Sequence, residues 1–268
     1  MTSLIHLKTF ISILLVIVSV VLIIISKSNS SVNVSVEKSA ERTRYSRTGN
    51  KNRKLAHFVY GLWSTEPMRI DYVENINVWK AHGWEIKIWG KNDCDLLISH
   101  YPQYIDFYHS LSRPVQKSDF IRCLIVFNEG GFYFDCDTVP LNNQLFLDFE
   151  IFDKDQSVFF IESISTKEWN DQTINFQIRN GEKEDLIRIA NFSFGSISHS
   201  NPIFTTIIDE IIKRVNESTY SNDDIYYVLY TTGPDVFSHI INNVEIGDNV
   251  ELYLSDSYML HKETGSWK

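Results

Sequence analysis

The first apolar pattern along the chain is a continuous run. Thr9 to Ser26 reads TFISILLVIVSVVLIIIS, 18 residues without a charge or a proline. As a helix rising about 1.5 Å per residue it reaches ~27 Å, close to the ~30 Å hydrocarbon core of a bilayer. The run exceeds the ~7–15 apolar residues of a cleavable signal peptide, and no A-x-A site follows it. The pattern therefore predicts a transmembrane signal-anchor over residues 9–26, behind a short tail of residues 1–8. Residues 27–54 turn polar, rich in Ser, Asn, Lys and Arg, with Val32, Val34, Val36, Ala40 and Tyr45 as apolar interruptions. Such a segment buries too little surface to offset the entropy of ordering, and a flexible stem is predicted.

At Leu55 the texture changes. His57 to Tyr60 (HFVY) is a short apolar run suited to a buried strand. Arg69 to His82 places Val73, Ile76 and Trp79 or Lys80 at helical spacing, with Gly83 as the C-terminal cap. Glu85 to Trp89 alternates polar with apolar, a strand pattern. Arg113 to Asn128 is a predicted helix, with Pro114 tolerated in its first turn and Gly130-Gly131 ending it. Phe132 to Asp135 and Ser157 to Glu162 are predicted strands. Pro202 to Asn216 is a predicted helix with Ile203, Ile207, Ile208, Ile211 and Ile212 along one face. Strands and helices in alternation predict one α/β domain over residues 55–268, a single mostly parallel sheet flanked by helices.

Composition narrows the chemistry. With 43% apolar residues and 13% aromatics the chain can fill a core. Its 34 acidic against 25 basic residues, a net charge of −9, oppose binding to a polyphosphate polymer, so no nucleic acid partner is expected. Cys94, Cys123 and Cys136 are scattered, odd in number and without zinc spacing, which predicts buried free thiols. Asn29, Asn33, Asn191 and Asn216 open N-x-S sequons, a short pattern with a high chance frequency. Around the apolar run, Lys8 and the amino terminus precede, whereas Lys27, Lys38, Arg42 and Arg44 follow. Counted by the positive-inside rule, this places the domain in the cytosol.

Ser118 to Pro140 (SDFIRCLIVFNEGGFYFDCDTVP) concentrates the candidate chemistry. Asp119 and Arg122 are three apart and share a helix face. Gly130-Gly131 permits a tight turn and close backbone approach. If FYFDCD is a strand, Asp135 and Asp137 at i and i+2 point to one side. Two carboxylates at the carboxyl end of a strand form a hard-cation site, where open α/β sheets bind ligands. A lone D-x-D is mostly solvated surface charge; behind an apolar strand, a Gly-Gly turn and SDxxR it reads as functional.

These residues resemble glycosyltransferase family 32. Its DxD-containing members include yeast-type α-1,6-mannosyltransferases, inositolphosphoceramide mannosyltransferases and vertebrate α-1,4-galactosyl- and N-acetylglucosaminyltransferases. More distantly, the stretch is similar to the clostridial glucosylating toxins. The pattern SDxxRxxxLxxxGGxYxDxD is matched by Ser118, Asp119, Arg122, Gly130, Gly131, Tyr133, Asp135 and Asp137. AHFVY resembles the opening IHxxW strand, and Asn191 to Phe204 (NFSFGSISHSNPIF) the loop and helix before the acceptor side. Thr232-Gly233-Pro234 resembles a TGP turn, and His261 to Trp267 (HKETGSW) a closing H…SW motif.

The resemblance implies a GT-A fold and metal-dependent transfer of a hexose, with retention, from UDP- or GDP-hexose to a glycan or glycolipid acceptor. It implies that Asp137 binds the metal directly and that Asp135 bridges ribose and metal. His261 would complete the metal shell from the tail, and Asp119 and Arg122 would hold the donor sugar's hydroxyls. Ser266 and Trp267 would contact the diphosphate, and Tyr60, or Trp63 nearby, the base. Two carboxylates with an imidazole suit Mn2+ better than Mg2+. A luminal catalytic domain is also implied, opposite to the orientation that the flanking charges favour. The last residues, 261–268, are expected to close over donor and to be dispensable for folding.

Two alternatives fit the residues. FYFDCDT resembles the DxDxT opening of haloacid-dehalogenase-type phosphatases, with Asp135 as nucleophile and Mg2+ on the phosphate. That reading leaves Asp119, Arg122 and HKETGSW without a role, and some 80 globular residues precede the motif. The other alternative is a donor-binding protein without turnover.

Overall fold

The strand β1 (Leu55–Val59) begins a sheet whose order along the chain is set by alternating helices. It is followed by α1 (Ile70–Ala81), β2 (Glu85–Trp89), α2 (Lys91–Ser99), α3 (Pro102–Ser110), α4 (Pro114–Glu129) and β3 (Gly131–Phe134). Next come β4 (Thr138–Pro140), α5 (Gln144–Asp148), β5 (Ser157–Thr166), β6 (Asp185–Ser196) and α6 (Ile203–Glu217). The chain ends in α7 (Ile225–Thr231), α8 (Pro234–Asn243), β7 (Val250–Leu254), a 3-10 turn (Ser255–Ser257) and β8 (Met259–His261). This computed structural model describes residues 54–62, 66–148, 156–166, 185–219, 225–243 and 249–264, all within one compact unit, Lys51–Lys268. The expected anchor (9–26), the stem apart from Lys54, Trp63, Ser266 and Trp267 lie outside the described residues. Among the described residues no helix is long and apolar enough to cross a membrane.

Six strands form one sheet in the order β2-β1-β3-β6-β5-β7. β1 pairs in parallel with β2 and β3, and β5 with β7, while β6 runs antiparallel to both its neighbours. The sheet is thus mixed but mostly parallel. A second, two-stranded sheet pairs β4 with β8.

Both faces of the main sheet are covered, which is why β1 and β3 are buried at every position. Alternation sends Phe132 and Phe134 to one face, where Trp79 of α1 stacks on Phe134 at 3.8 Å. Tyr133 goes to the opposite face, with Phe194 and the residues of α4, α6 and α8. The three cysteines are buried free thiols.

Several elements differ from the sequence pattern. In α1 the buried positions are Tyr72, Asn75, Ile76 and Trp79, whereas Val73 is 40% exposed. Asn75 takes the inward position because its side chain has a partner there: Nδ2 donates to the Cys136 carbonyl at 2.9 Å. β3 ends at Phe134, so Asp135 is the first residue of a turn and not the last of a strand. The tail is not a loose end at residue 261. β8 is laddered to β4, and Met259 is buried.

Candidate active site

The Asp135–Asp137 segment is shaped by hydrogen bonds from three directions. Asp135 N donates to Phe192 O of β6 at 2.8 Å. The Thr138 backbone N and hydroxyl both donate to Asp135 O, at 3.0 and 2.8 Å, closing a turn. From α1, Asn75 holds the Cys136 carbonyl, and Trp79 Nε1 donates to Thr138 O at 3.0 Å. The two aspartates converge through this turn, not through strand alternation. Pairing of Thr138 with His261 in the β4–β8 ladder then delivers the imidazole. One ligand atom from each of Asp135, Asp137 and His261 lies within 4.8 Å of the others. His261 stacks on Phe192 at 4.0 Å, which fixes its ring plane.

The charges of this triad are unequal. Burial raises the Asp137 carboxyl, but His261, at 3.4 Å, and donors from Thr264 N and Oγ1 at 3.0 and 2.9 Å outweigh it and lower the carboxyl to about 2. Burial lowers the His261 imidazole, and its contact with Asp137 more than offsets this, raising it. Burial raises Asp135 against the pull of Arg122, while its side chain keeps 29% exposure to solvent. Thr264 occupies Asp137 Oδ2, which leaves Oδ1 facing His261. The Tyr133 hydroxyl donates to Asp135 Oδ1, and Arg122 Nη1 lies 3.5 Å from the same atom. Two carboxylates and one imidazole nitrogen, each oriented by a further donor or a stacked ring, fit a divalent first-row transition ion.

Beside the triad, α4 contributes Asp119 and Arg122, both nearly fully buried. Asp119 accepts from Arg122 Nη2 at 2.8 Å, Thr232 Oγ1 at 2.7 Å and Asn191 Nδ2 at 3.3 Å. Burial pushes its carboxyl up to about 7 against the pull of Arg122 and Thr232. Arg122 also donates to Asn191 O at 2.6 Å and Ser118 O at 3.3 Å, and its guanidinium lies 4.7 Å over the Tyr133 ring. Its N–H groups are thus directed at protein acceptors. In this structure it spaces Asp119 from Asp135.

A cleft of about 290 Å³ joins these groups. Tyr60, Asp119, Arg122, Asp135, Asp137 and His261 all line it. Tyr60 is half-buried, its hydroxyl donating to Pro67 O at 3.1 Å and its ring edge-on to Tyr72 at 6.2 Å. Asn75, Asn191, Thr232 and Thr264 orient the charged groups; Asn75 lies in no motif, while the other three lie in the NFSFG, TGP and HKETGSW stretches without a role assigned from the sequence. Asn191 opens both a sequon and the NFSFGSISHSNPIF stretch, and its amide is turned to Asp119.

Residues 39–158 match the family described as a glycosyltransferase sugar-binding region containing a DXD motif. Over 94 residues, 33% of this chain and 24% of its relative, the chain is 28% identical to HOC1 of Saccharomyces cerevisiae. Over 97 residues, 31% of this chain and 25% of its relative, it is 33% identical to the initiation-specific alpha-1,6-mannosyltransferase of Candida albicans. The matched stretch spans about a quarter of the length of these two relatives. Among solved structures, PaToxG glycosyltransferase is similar over 81% of this chain and 78% of its own, with 16% identity and a TM-score of 0.46. Residues 39–158, with the D-x-D at Asp135 and Asp137 inside the matched region, thus carry a DXD-containing glycosyltransferase sugar-binding region.

Proposed function

We propose that the chain transfers a hexose, with retention, from a UDP- or GDP-sugar to a glycan or glycolipid acceptor, on a GT-A scaffold and with Mn2+ as its cofactor. The observation that carries this reading is the convergence of Asp135, Asp137 and His261 within 4.8 Å, in one cleft with the buried Asp119–Arg122 pair. A divalent ion held by those three side chains would offset the negative charge that develops on a departing nucleoside diphosphate. The chain's own residues account for the rest. Asp119 and Asn191 present acceptors and donors to sugar hydroxyls, and Arg122 holds Asp119 and Asp135 apart at fixed spacing. Thr264 keeps Asp137 ionised and turned toward His261. Tyr60 and Tyr72 supply an aromatic wall at the end of β1, suited to a nucleotide base. The phosphatase alternative gives no role to His261 or Asp119. The anchor expected over residues 9–26 is part of the proposal, and a chain released from membranes by alkaline carbonate would remove it.

The test is a donor screen with UDP- and GDP-sugars in the presence of Mn2+, followed by nucleoside diphosphate release. One donor should be hydrolysed slowly without acceptor. Asp137→Ala should lower that rate by at least about 100-fold, together with cation-dependent nucleotide binding, since even groups behind the metal ligands change affinity 10–100-fold. Full activity in excess chelator would sink the metal-dependent mechanism.

A further inference from the structure

The order of strands orders the cleft. Val59 and Tyr60 stand at the end of β1, Tyr133 and Asp135 at the end of β3, Asn191 and Phe192 on β6, and Glu162 on β5. With neighbouring strands about 4.8 Å apart, Glu162 lies about 14 Å across the sheet from the β1 end. On the donor reading above, on which this inference rests, base, diphosphate and sugar fill the β1, β3 and β6 positions. Glu162 stands one strand beyond the sugar.

The local backbone aims it there. In the β5–β6 ladder Ile161 pairs with Ile189 and Ser163 with Arg188. Two steps along β5 match one along β6, so Glu162 is the extra residue of a bulge, a device that re-aims a side chain at the edge of a site. Glu162 Oε2 accepts from Arg188 Nε at 2.9 Å, and Arg188 Nη1 reaches the fully buried Asp235 at 3.1 Å. Asp235 follows Gly233 and Pro234, which line the same end of the cleft as Val228 and Leu229. Glu162 keeps 35% exposure, with Oε1 unengaged among the described residues, while Arg188 holds it from behind.

We propose that Glu162, braced by Arg188, is the acceptor subsite of the cleft and binds hydroxyl groups of a neutral sugar. A carboxylate accepts hydrogen bonds from hydroxyls, and the half-buried side chain of Leu229 in the lining suits the C–H face of a pyranose. The Glu162 carboxylate, with the donor's diphosphate in the same cleft, opposes a further anion, so an acceptor carrying a phosphate or carboxylate is disfavoured.

The test uses the full-length chain with Mn2+, GDP-mannose, UDP-glucose and UDP-galactose as donors, and the methyl glycosides of mannose, glucose and galactose as acceptors. Glu162→Gln should raise the acceptor KM about tenfold or more, the worth of a hydrogen bond to a charged group, with donor KM changed less than about twofold. Arg188→Lys should raise acceptor KM by less, since Lys restores charge without the paired N–H geometry. An unchanged acceptor KM in Glu162→Gln, or equal rises in both KM values, overturns the subsite. Donor hydrolysis by the parent chain without transfer to any of the three glycosides overturns the subsite alone. A parent chain that hydrolyses none of the donors overturns the transferase reading and the subsite with it.

Discussion

Asp119, Asp137 and Asp235 are all buried carboxyls, and the balance between depth of burial and the groups reaching each one sets its charge. His261 and Thr264 keep Asp137 ionised, whereas among the described residues Asp235 has one arginine hydrogen bond and an Oδ2 without a hydrogen-bond partner. Burial raises Asp235 from 3.8 to about 7, with Arg188 and Arg214 pulling the other way. The sign follows from linkage. A carboxyl whose folded value is raised binds its proton more tightly in the folded state, so stability falls as pH rises from about 4 to about 7. Asp235→Asn mimics the protonated form and keeps an oxygen for Arg188. It should flatten that slope and gain at least about 1 kcal/mol at pH 8, or about 2–4 °C in Tm for a domain of this size. Melting curves of parent and variant across this range check it, and parallel curves would refute it. At this scale the charged groups were legible in the sequence: SDxxR is spaced for one helix face, and D-x-D was found on strand spacing although a turn is what brings its aspartates together. The roles of their orienting partners were not: Asn75 lies in no motif, and Asn191, Thr232 and Thr264, though inside singled-out stretches, lie on other elements brought close only by the fold.

Elements were legible where hydrophobic periodicity was strong. β2 has the expected bounds, and α4 and α6 are shifted by a residue. β6 lies partly where the resemblance implied a loop, at Asn191 to Ser196, because its strand pattern is broken. Phe159 pairs with Phe194 but Ile161 with Ile189, so the residues between bulge out of the ladder and give Asn191 and Phe192 to the cleft. Its buried Ser193 and Ser196 also read as loop. The nine-residue helices α2 and α3 were too short for a clear stripe. The Gly-Gly turn, by contrast, was fully legible, and the structure gives its reason. Gly130 and Gly131 have φ of 69° and 78°, and a Cβ on Gly131 would sit 2.6 Å from Leu55 O in β1. No side chain can yield there, since the obstacle is backbone. Gly131→Ala should therefore cost at least about 2 kcal/mol, from left-handed strain plus overpacking between β1 and β3. Urea denaturation measures it, and a midpoint equal to the parent's would show that the two strands can part without loss.

At the scale of the whole molecule, the chain's last described residues line the cleft and tie it to α1 and the D-x-D turn. β8 pairs with β4 directly after the D-x-D turn, Lys262 N donates to Asp137 O at 3.0 Å, and Lys262 Nζ reaches Asn75 Oδ1 at 2.7 Å. Thr264 Oγ1 lies 2.9 Å from the Tyr72 hydroxyl, linking the tail to α1 as well as to Asp137. The expectation that residues 261–268 are dispensable for folding is thus corrected, because proximity to a terminus says little once the backbone is laddered and hydrogen-bonded. Two truncations separate the roles. Removing 261–268 takes the end of β8, the Asp137 donors and the imidazole together, so Tm should fall by several degrees and cation-dependent nucleotide binding should vanish. Removing only 265–268 leaves every one of those bonds in place. That shorter truncation should melt with the parent, yet lose donor turnover, because it deletes Ser266 and Trp267, to which the family resemblance gives the diphosphate. Equal melting of both truncations would show that the end of β8 and the Asp137 bonds from Thr264 contribute nothing to the fold. Full turnover after removal of 265–268 would confine the working tail to His261 and Thr264.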